Sequence, residues 1–385
     1  MALRLIVFTS ALLLSQGFSN QCQGQSTRTV ACAAFSTDGA LATGTIRNGE
    51  LETRLDEPDA PVVITQKYVG NPFGCEEAFS GDGRWMATVV ASDELKVVIV
   101  DRKAGRIYRQ FSSDWQGLHN LPLEPGYRSS FLGGFLPDDS LALWRYFPQA
   151  VADPSNASNV DLHLQRWSVE GLWLSDLNLG DTRAGIDGLE PIVANGLNLL
   201  WIPEQCVSRC YRGVSVSGAR IAEAGCLTLP RNIAAAPVAL PGDKGLLTIV
   251  GARTGQKARL LNSSGRSEAQ VSLPSVPNFF GPLVPNWFDV FRPQISHDGE
   301  VAAIGRLRVA WVLVDTDRDW GSEIVLLRMH PLAVTTTLRT GKGGIGAIAV
   351  DHRYGIVRLI GFWKERWHDL QYDERNPGKW TEVKN

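Results

Sequence analysis

Three copies of one short string constrain what this chain can fold into. AAFSTDGALATG (Ala33 to Gly44) and EAFSGDGRWMAT (Glu77 to Thr88) share A-F-S-x-D-G and then an alternating apolar stretch; QISHDGEVAAIG (Gln294 to Gly305) repeats the pattern. Physically the string is a hairpin. Ser and Asp side chains hydrogen-bond backbone amides in the turn, and glycine supplies the positive φ that most other residues resist. Asp38 with Gly39, Asp82 with Gly83, and Asp298 with Gly299 are therefore read as turn-forming pairs between strands. FLPDDSLALW (Phe135 to Trp144), IVANGLNLLWI (Ile192 to Ile202), ALPGDKGLLTIV (Ala239 to Val250) and IAVDHRYGIVRLI (Ile348 to Ile360) keep strand, polar turn and strand in looser lettering.

Taking Asp38, Asp82, Asp138, Asn195, Asp243, Asp298 and His352 as markers, the intervals are 44, 56, 57, 48, 55 and 54 residues. A four-stranded propeller blade takes roughly 40–50 residues, so each interval holds one blade with loop insertions. The expected fold is all-β: a seven-bladed β-propeller of four-stranded antiparallel blades, one domain over residues 25–385. A pair of β-sandwiches also places turn signals at short regular spacing. The near-identical strings at equivalent places in units one, two and six favour the ring.

The second unit is the best preserved. MATVVASDELKVVIVDRKAGRIYRQF reads as a strand, a turn at Ser92 to Glu94, a strand, a turn at Arg102 to Gly105 and a strand. Within it, LKVVIVDRKAGR resembles the blade-ending pattern of WD-repeat propellers, in which a strand stops at Asp and a Gly follows shortly after. LHLQRWSVEGLW (Leu162 to Trp173) is similar. The Trp-Asp and Gly-His pairs that define that family strictly are absent. The resemblance is to the wider group of WD-like and quinoprotein-dehydrogenase-like bacterial propellers; it implies the fold and carries no functional residue across.

The amino terminus carries an address. Arg4 precedes a largely apolar run from Leu5 to Leu14 and then small and polar residues, the layout of a signal peptide cleaved between Gly17 and Gln25, so residues 1–24 are expected to be removed and the protein exported to the periplasm or beyond. The run is too short to remain as a membrane span, and no later stretch reaches 18 consecutive apolar residues, so no transmembrane anchor is expected. Ser19, Asn20 and Gln21 ahead of Cys22 lack the small, apolar pattern of a lipid-attachment site, and lipid anchoring there is not expected. Lys plus Arg number 38 against 40 Asp plus Glu, without a block of like charge, which argues against a nucleic-acid or anionic-membrane partner.

Six cysteines in an exported chain point to disulfides. Cys206 and Cys210 in QCVSRCYRG are spaced to close a small loop, with Cys226 as another candidate partner; a zinc site there lacks a second close Cys or His pair. Cys32 and Cys75 hold similar places in successive units and are candidates for a bridge between neighbours.

Two motifs invite a chemical reading. TGKGGIGA (Thr340 to Ala347) satisfies G-x-G-x-x-G, but no Lys-Ser/Thr ends it and a strand-like stretch follows, so it is read as a glycine-rich connection between blades. Asp315, Asp317 and Asp319 open like a calcium loop, yet Trp320 and Leu326 stand where that loop needs Gly and Glu. A looser calcium site using Gly321 and Glu323 is the minor alternative to a solvated blade-edge loop.

The six histidines (His119, His163, His297, His330, His352 and His368) show no metal-ligand spacing and are read as surface or turn residues. Tryptophan, at 12, is in excess. Trp144, Trp201 and Trp311 lie in strand patterns and are expected in the core. Trp363, Trp367, Trp115, Trp287 and Trp320 are the alternative: a flat surface for carbohydrate or peptide. Residues 118–127, 147–159 and 272–291 form the longest loops, where a rigid ring usually carries function.

The expectation is a monomeric, non-catalytic binding or protein-interaction module at the cell envelope, without a cofactor, taking a protein, peptide or carbohydrate ligand on its loop faces and central channel. The competing class is a secreted propeller enzyme of dehydrogenase, lyase or hydrolase type with a channel-mouth active site. An enzyme gathers carboxylate, His, Arg or Tyr side chains at that mouth, whereas a binding module exposes an aromatic patch with few titratable neighbours.

Overall fold

A computed structural model describes residues 29–383 apart from 49, 57–61, 68–73, 92–94, 114–129, 137, 149–159, 183–191, 194–198, 205–209, 218–219, 229–232, 242–244, 252–254, 263–264, 276–285, 292, 313–314 and 342–343. Cys22, Trp115, Asn195, Cys206, the segment read as a signal peptide and much of the three long loops lie outside the described residues.

Among the described residues the strand-turn-strand units appear as seven antiparallel sheets in chain order. Sheet one holds β1 (Val30–Phe35), β2 (Leu41–Arg47), β3 (Glu50–Asp56) and β4 (Val62–Lys67); sheet two holds β5 (Gly74–Phe79), β6 (Trp85–Ala91), β7 (Leu95–Asp101) and β8 (Arg106–Ser113). Sheet three is β9 (Ser130–Phe135), β10 (Leu141–Pro148), β11 (Val160–Trp167) and β12 (Trp173–Thr182); sheet four is β13 (Ile192–Val193), β14 (Leu199–Glu204), β15 (Cys210–Ser217) and β16 (Arg220–Thr228). Sheet five is β17 (Ile233–Ala239), β18 (Leu246–Val250), β19 (Lys257–Leu261) and β20 (Ser267–Ser272). Sheet six has its first strand split into β21 (Asn286–Val290) and β22 (Gln294–Ile295), followed by β23 (Val301–Val312), β24 (Asp315–Met329) and β25 (Leu332–Gly341). Sheet seven is β26 (Ile345–Arg353), β27 (Ile356–Trp363), β28 (Arg366–Asp373) and β29 (Trp380–Glu382).

Each sheet lies against the next, and the seventh returns to the first, β26 against β1. The residues after Asp369 complete the seventh sheet themselves, through β29, so the ring closes by packing between first and last sheets. Trp367 Nε1 donates to Thr45 Oγ1 at 2.9 Å, Arg353 Nη2 to the Thr37 carbonyl at 2.8 Å and Arg47 Nη2 to the Glu365 carbonyl at 2.7 Å.

The core sits in the seams between sheets. Successive side chains of a strand point to opposite faces, so a middle strand here must be apolar at every position to fill two seams. In β23, Val301 and Ala303 pack toward sheet seven while Ala302 and Ile304 pack toward sheet five; in β24, Ile324 and Leu326 take the first seam and Val325 and Leu327 the second. Met86 of β6 likewise joins sheet one, and its neighbours Trp85 and Ala87 join sheet three.

The repeated string forms its predicted hairpin. Ser36, Ser80 and Ser296 amides donate to the carbonyls of Ala40, Trp85 and Val301 at 2.9 Å, and Gly39, Gly83 and Gly299 hold φ of 88°, 70° and 74°. In the third unit Asp139, with φ 61°, takes the glycine's place. The seventh departs further: Tyr354 and Gly355 make a two-residue turn with φ of 54° and 74°, and His352 lies on β26 instead of in the turn. Changing Gly83 to Val forces a β-branched residue into positive φ beside the Arg102 guanidinium. It is expected to cost about 1–2 kcal/mol, against about 0.5 kcal/mol for Arg84→Val, which loses a half-exposed pair with Asp101. Equal urea midpoints for the two variants would contradict the turn.

Candidate interaction surface

The hairpin turns of successive sheets meet on one face of the ring, where their polar side chains hold one another. Arg102, from the turn after β7, donates to Asp38 of sheet one at 3.0 and 3.2 Å and to the Gly83 carbonyl. Partial burial works to raise the Asp38 pKa, but Arg102, the Ser36 hydroxyl and the Ala40 amide outweigh it and hold it at about 2. Further round, Ser296 Oγ donates to Asp298 Oδ1 at 2.6 Å, and His352 bridges Asp298 (2.7 Å) and Glu374 (3.2 Å). Arg166 pairs with Asp138 within sheet three. Asp38 and Asp298, assigned from sequence to turn structure alone, also bind sheet to sheet.

Burial opposes protonation of His352, yet the two carboxylates outweigh it and raise its pKa. A histidine that binds its proton more tightly when folded stabilises the protein fully below the ordinary pKa of 6.5, and that contribution is lost as pH rises through the folded value. The expected result is a melting temperature that declines above about pH 6.5 in the wild type and declines less in His352→Gln, the difference being below about 1 kcal/mol.

The outer rim is different in kind. β8 and β12 end their sheets, so among the described residues each has one backbone edge without a partner strand. Every residue from Lys103 to Gln110 is exposed, Ile107 and Tyr108 included, and across the seam Leu172, Trp173 and Leu174 are exposed in turn, Trp173 at 59%. Phe111 of β8 stacks on Trp167 of β11 with ring centroids 5.1 Å apart, flooring the gap between the two outer strands. Directly opposed residues of an antiparallel pair share a face. Trp173, paired with Trp167, thus stands on the side of sheet three that faces sheet two. Tyr108 packs on Trp85, whose side chain belongs to the same seam, at 4.9 Å. The result is an aromatic cleft open at the rim.

No protein-family model matches the sequence, and no curated protein resembles it significantly. Among solved structures, the Dos1 propeller superposes with a TM-score of 0.51 over 94% of this chain and 84% of its own, at 13% identity. The fold is a β-propeller. The C-terminal WD40 domain of Sif2 covers 91% of this chain and 98% of its own at 10% identity, with a TM-score of 0.47.

Several sequence expectations change in the propeller. Asp315, Asp317 and Asp319 are not in a loop: they open strand β24, where the register skips Asp317 as a bulge. Trp320 and Trp287 are also on strands, β24 and β21. Trp363 is buried and stacks face to face on His368 at 4.1 Å, possible because Gly361 leaves its ring room; a Cβ there would meet it at 2.2 Å. With Trp367 bonded to Thr45, neither tryptophan forms the flat surface considered for them. His163 faces Asp176 at 2.8 Å, so it too is engaged. Gly341 ends β25 and Ile345 begins β26, placing the glycine-rich string between sheets six and seven. Cys210 lies on β15 and Cys226 on β16. The rim aromatics were missed, although the charged residues Asp101, Arg102, Lys103 and Arg106 around the turn into β8 were a signal that the start of this strand faces water.

Proposed function

We propose that this propeller is an exported, non-catalytic module that binds a protein partner at the cell envelope. The observation that carries the reading is the exposed aromatic and aliphatic rim: Tyr108, Leu172, Trp173 and Leu174 stand in water beside a scaffold whose turn-face Asp38, Asp138 and Asp298 are already held by its own Arg102, Arg166 and His352. A contiguous apolar patch on a rigid frame is a partner site on general physical grounds. The amino-terminal Arg4 and Leu5 to Leu14 support export, as does the disulfide joining Cys32 to Cys75, a bond that suits an oxidising compartment.

The test places a photo-crosslinking phenylalanine analogue at position 173 or at position 354, whose tyrosine is 94% exposed on the turn face, in the full chain. Irradiation of intact cells should give discrete, protease-sensitive adducts from at least one position, with the mature protein lacking Leu5 to Leu14. Absence of adducts from both positions would overturn the binding reading; retention of that segment would overturn export.

A further inference from the structure

We infer that the rim cleft between β8 and β12 takes an extended, acidic peptide segment that adds as a strand along the free edge of β8. The inference rests on the binding-module reading above and names the chemistry of its partner.

The register of β8 carries the argument. Asp101 opposes Arg106, Val100 opposes Ile107 and Ile99 opposes Arg109, so Tyr108 is the extra residue of a bulge. In an unbroken strand Arg106 and Arg109 would project from opposite faces. With the bulge they share one. Ile99 packs in the seam toward sheet three, and Asp101 opposes Trp85, which packs in the same seam. Arg106 and Arg109 therefore flank Tyr108 on the side that looks across at Trp173.

Both arginines are exposed, as is Lys103 in the preceding turn, and none of the three has an ion pair or hydrogen-bonded side-chain partner among the described residues. Three acidic groups near the cleft are committed elsewhere: Asp101 is buried and paired with Arg84, Asp176 with His163, and Glu170 with Ser168 in its own turn. Uncompensated cations beside an exposed aromatic pair and an unpaired strand edge describe a receptor for an acidic, apolar-anchored strand. Main-chain hydrogen bonds to β8 supply affinity, and alternate side chains supply specificity. A segment of the form acidic-x-apolar-x-acidic sets its apolar residue between Tyr108 and Trp173, over the Phe111–Trp167 floor, and its carboxylates on Arg106 and Arg109.

The probe is a fluorescein-labelled decapeptide with Glu-Thr-Leu-Thr-Glu at its centre; its control carries Lys for both Glu residues. The full-length mature protein should bind the acidic peptide and not the control, and raising salt from about 0.05 to about 0.5 M should weaken binding. Arg106→Glu with Arg109→Glu should weaken it at least about tenfold, and Trp173→Ser similarly, with melting temperatures unchanged because all three side chains are exposed. Equal binding of both peptides, an unaffected charge-reversal variant, or no binding by the wild type would each overturn the inference. Photo-adducts at position 354 without any at 173 would leave the binding-module reading standing while removing the cleft as its site.

Discussion

Arg306→Met is expected to lower the stability of the ring by about 3–5 kcal/mol, the cost of leaving a carboxylate enclosed after its cation is removed. Arg306 lies on β23, 1% exposed, opposite Glu323 of β24, with which it forms an ion pair. Its Nη2 also donates to the Pro274 carbonyl at 3.0 Å and its Nη1 to Gln256 Oε1 at 3.4 Å. Gln256 immediately precedes β19 and Pro274 follows β20, so one guanidinium fastens sheet six to the flanks of sheet five. Burial draws its pKa down and Glu323 opposes that, as expected for a charge held by its partner. Arg306→Lys keeps the charge but not the fork, and is expected to fall between. Glu323→Leu added to Arg306→Met should recover much of the loss, because the stranded carboxylate is then gone. Urea midpoints of the three variants measure this; a single variant as stable as wild type would show that the seam does not depend on the pair.

What the chain spells openly is what is decided within a few residues. The Ser and Asp of the repeated string meet their partners two to five positions away, so Asp38, Asp82 and Asp298 announced hairpins that the structure contains. Strands buried on two faces were likewise readable, as unbroken apolar runs such as VVIV before Asp101. Seam chemistry was not readable, since Asp38 meets Arg102 across 64 positions and Asp298 meets His352 across 54. Nor were the roles of individual tryptophans. Trp363 and Trp173 both sit at strand ends, and what separates them is a glycine at 361 that admits one ring and a place on the outermost strand of its sheet that exposes the other. Asp315 to Asp319 looked like a loop because alternating carboxylates suit both a metal loop and a hairpin arm; the long β23–β24 pairing decides it.

The second large effect has the opposite sign: Glu77→Leu is expected to stabilise the protein at neutral pH by about 2–3 kcal/mol. Glu77 lies on β5 at the place where the first unit has Ala33 in the repeated string. The residue as a whole keeps some exposure, but both carboxylate oxygens are enclosed and neither has a hydrogen-bond partner among the described residues. They lie against Gly44 of sheet one and the joined Cys32 and Cys75; a Cβ at position 44 would stand 2.9 Å from Glu77 Oε1 and 2.6 Å from Cys32 Sγ. Burial alone, with no cation to offset it, pushes the carboxyl well above its ordinary value of 4.5. The folded protein therefore holds this proton to higher pH than the unfolded chain does. Stability from this group is greatest below 4.5 and falls as pH climbs through the window between the ordinary and the raised value. Glu77→Gln, which keeps the shape and cannot ionise, should remove that decline while leaving the unpaired polar atoms, and Glu77→Leu should remove both. Denaturant midpoints at about pH 5 and about pH 8 separate the cases: the gap between wild type and Glu77→Gln must widen at the higher pH, and a constant gap would mean that the carboxyl finds a partner or water in the seam.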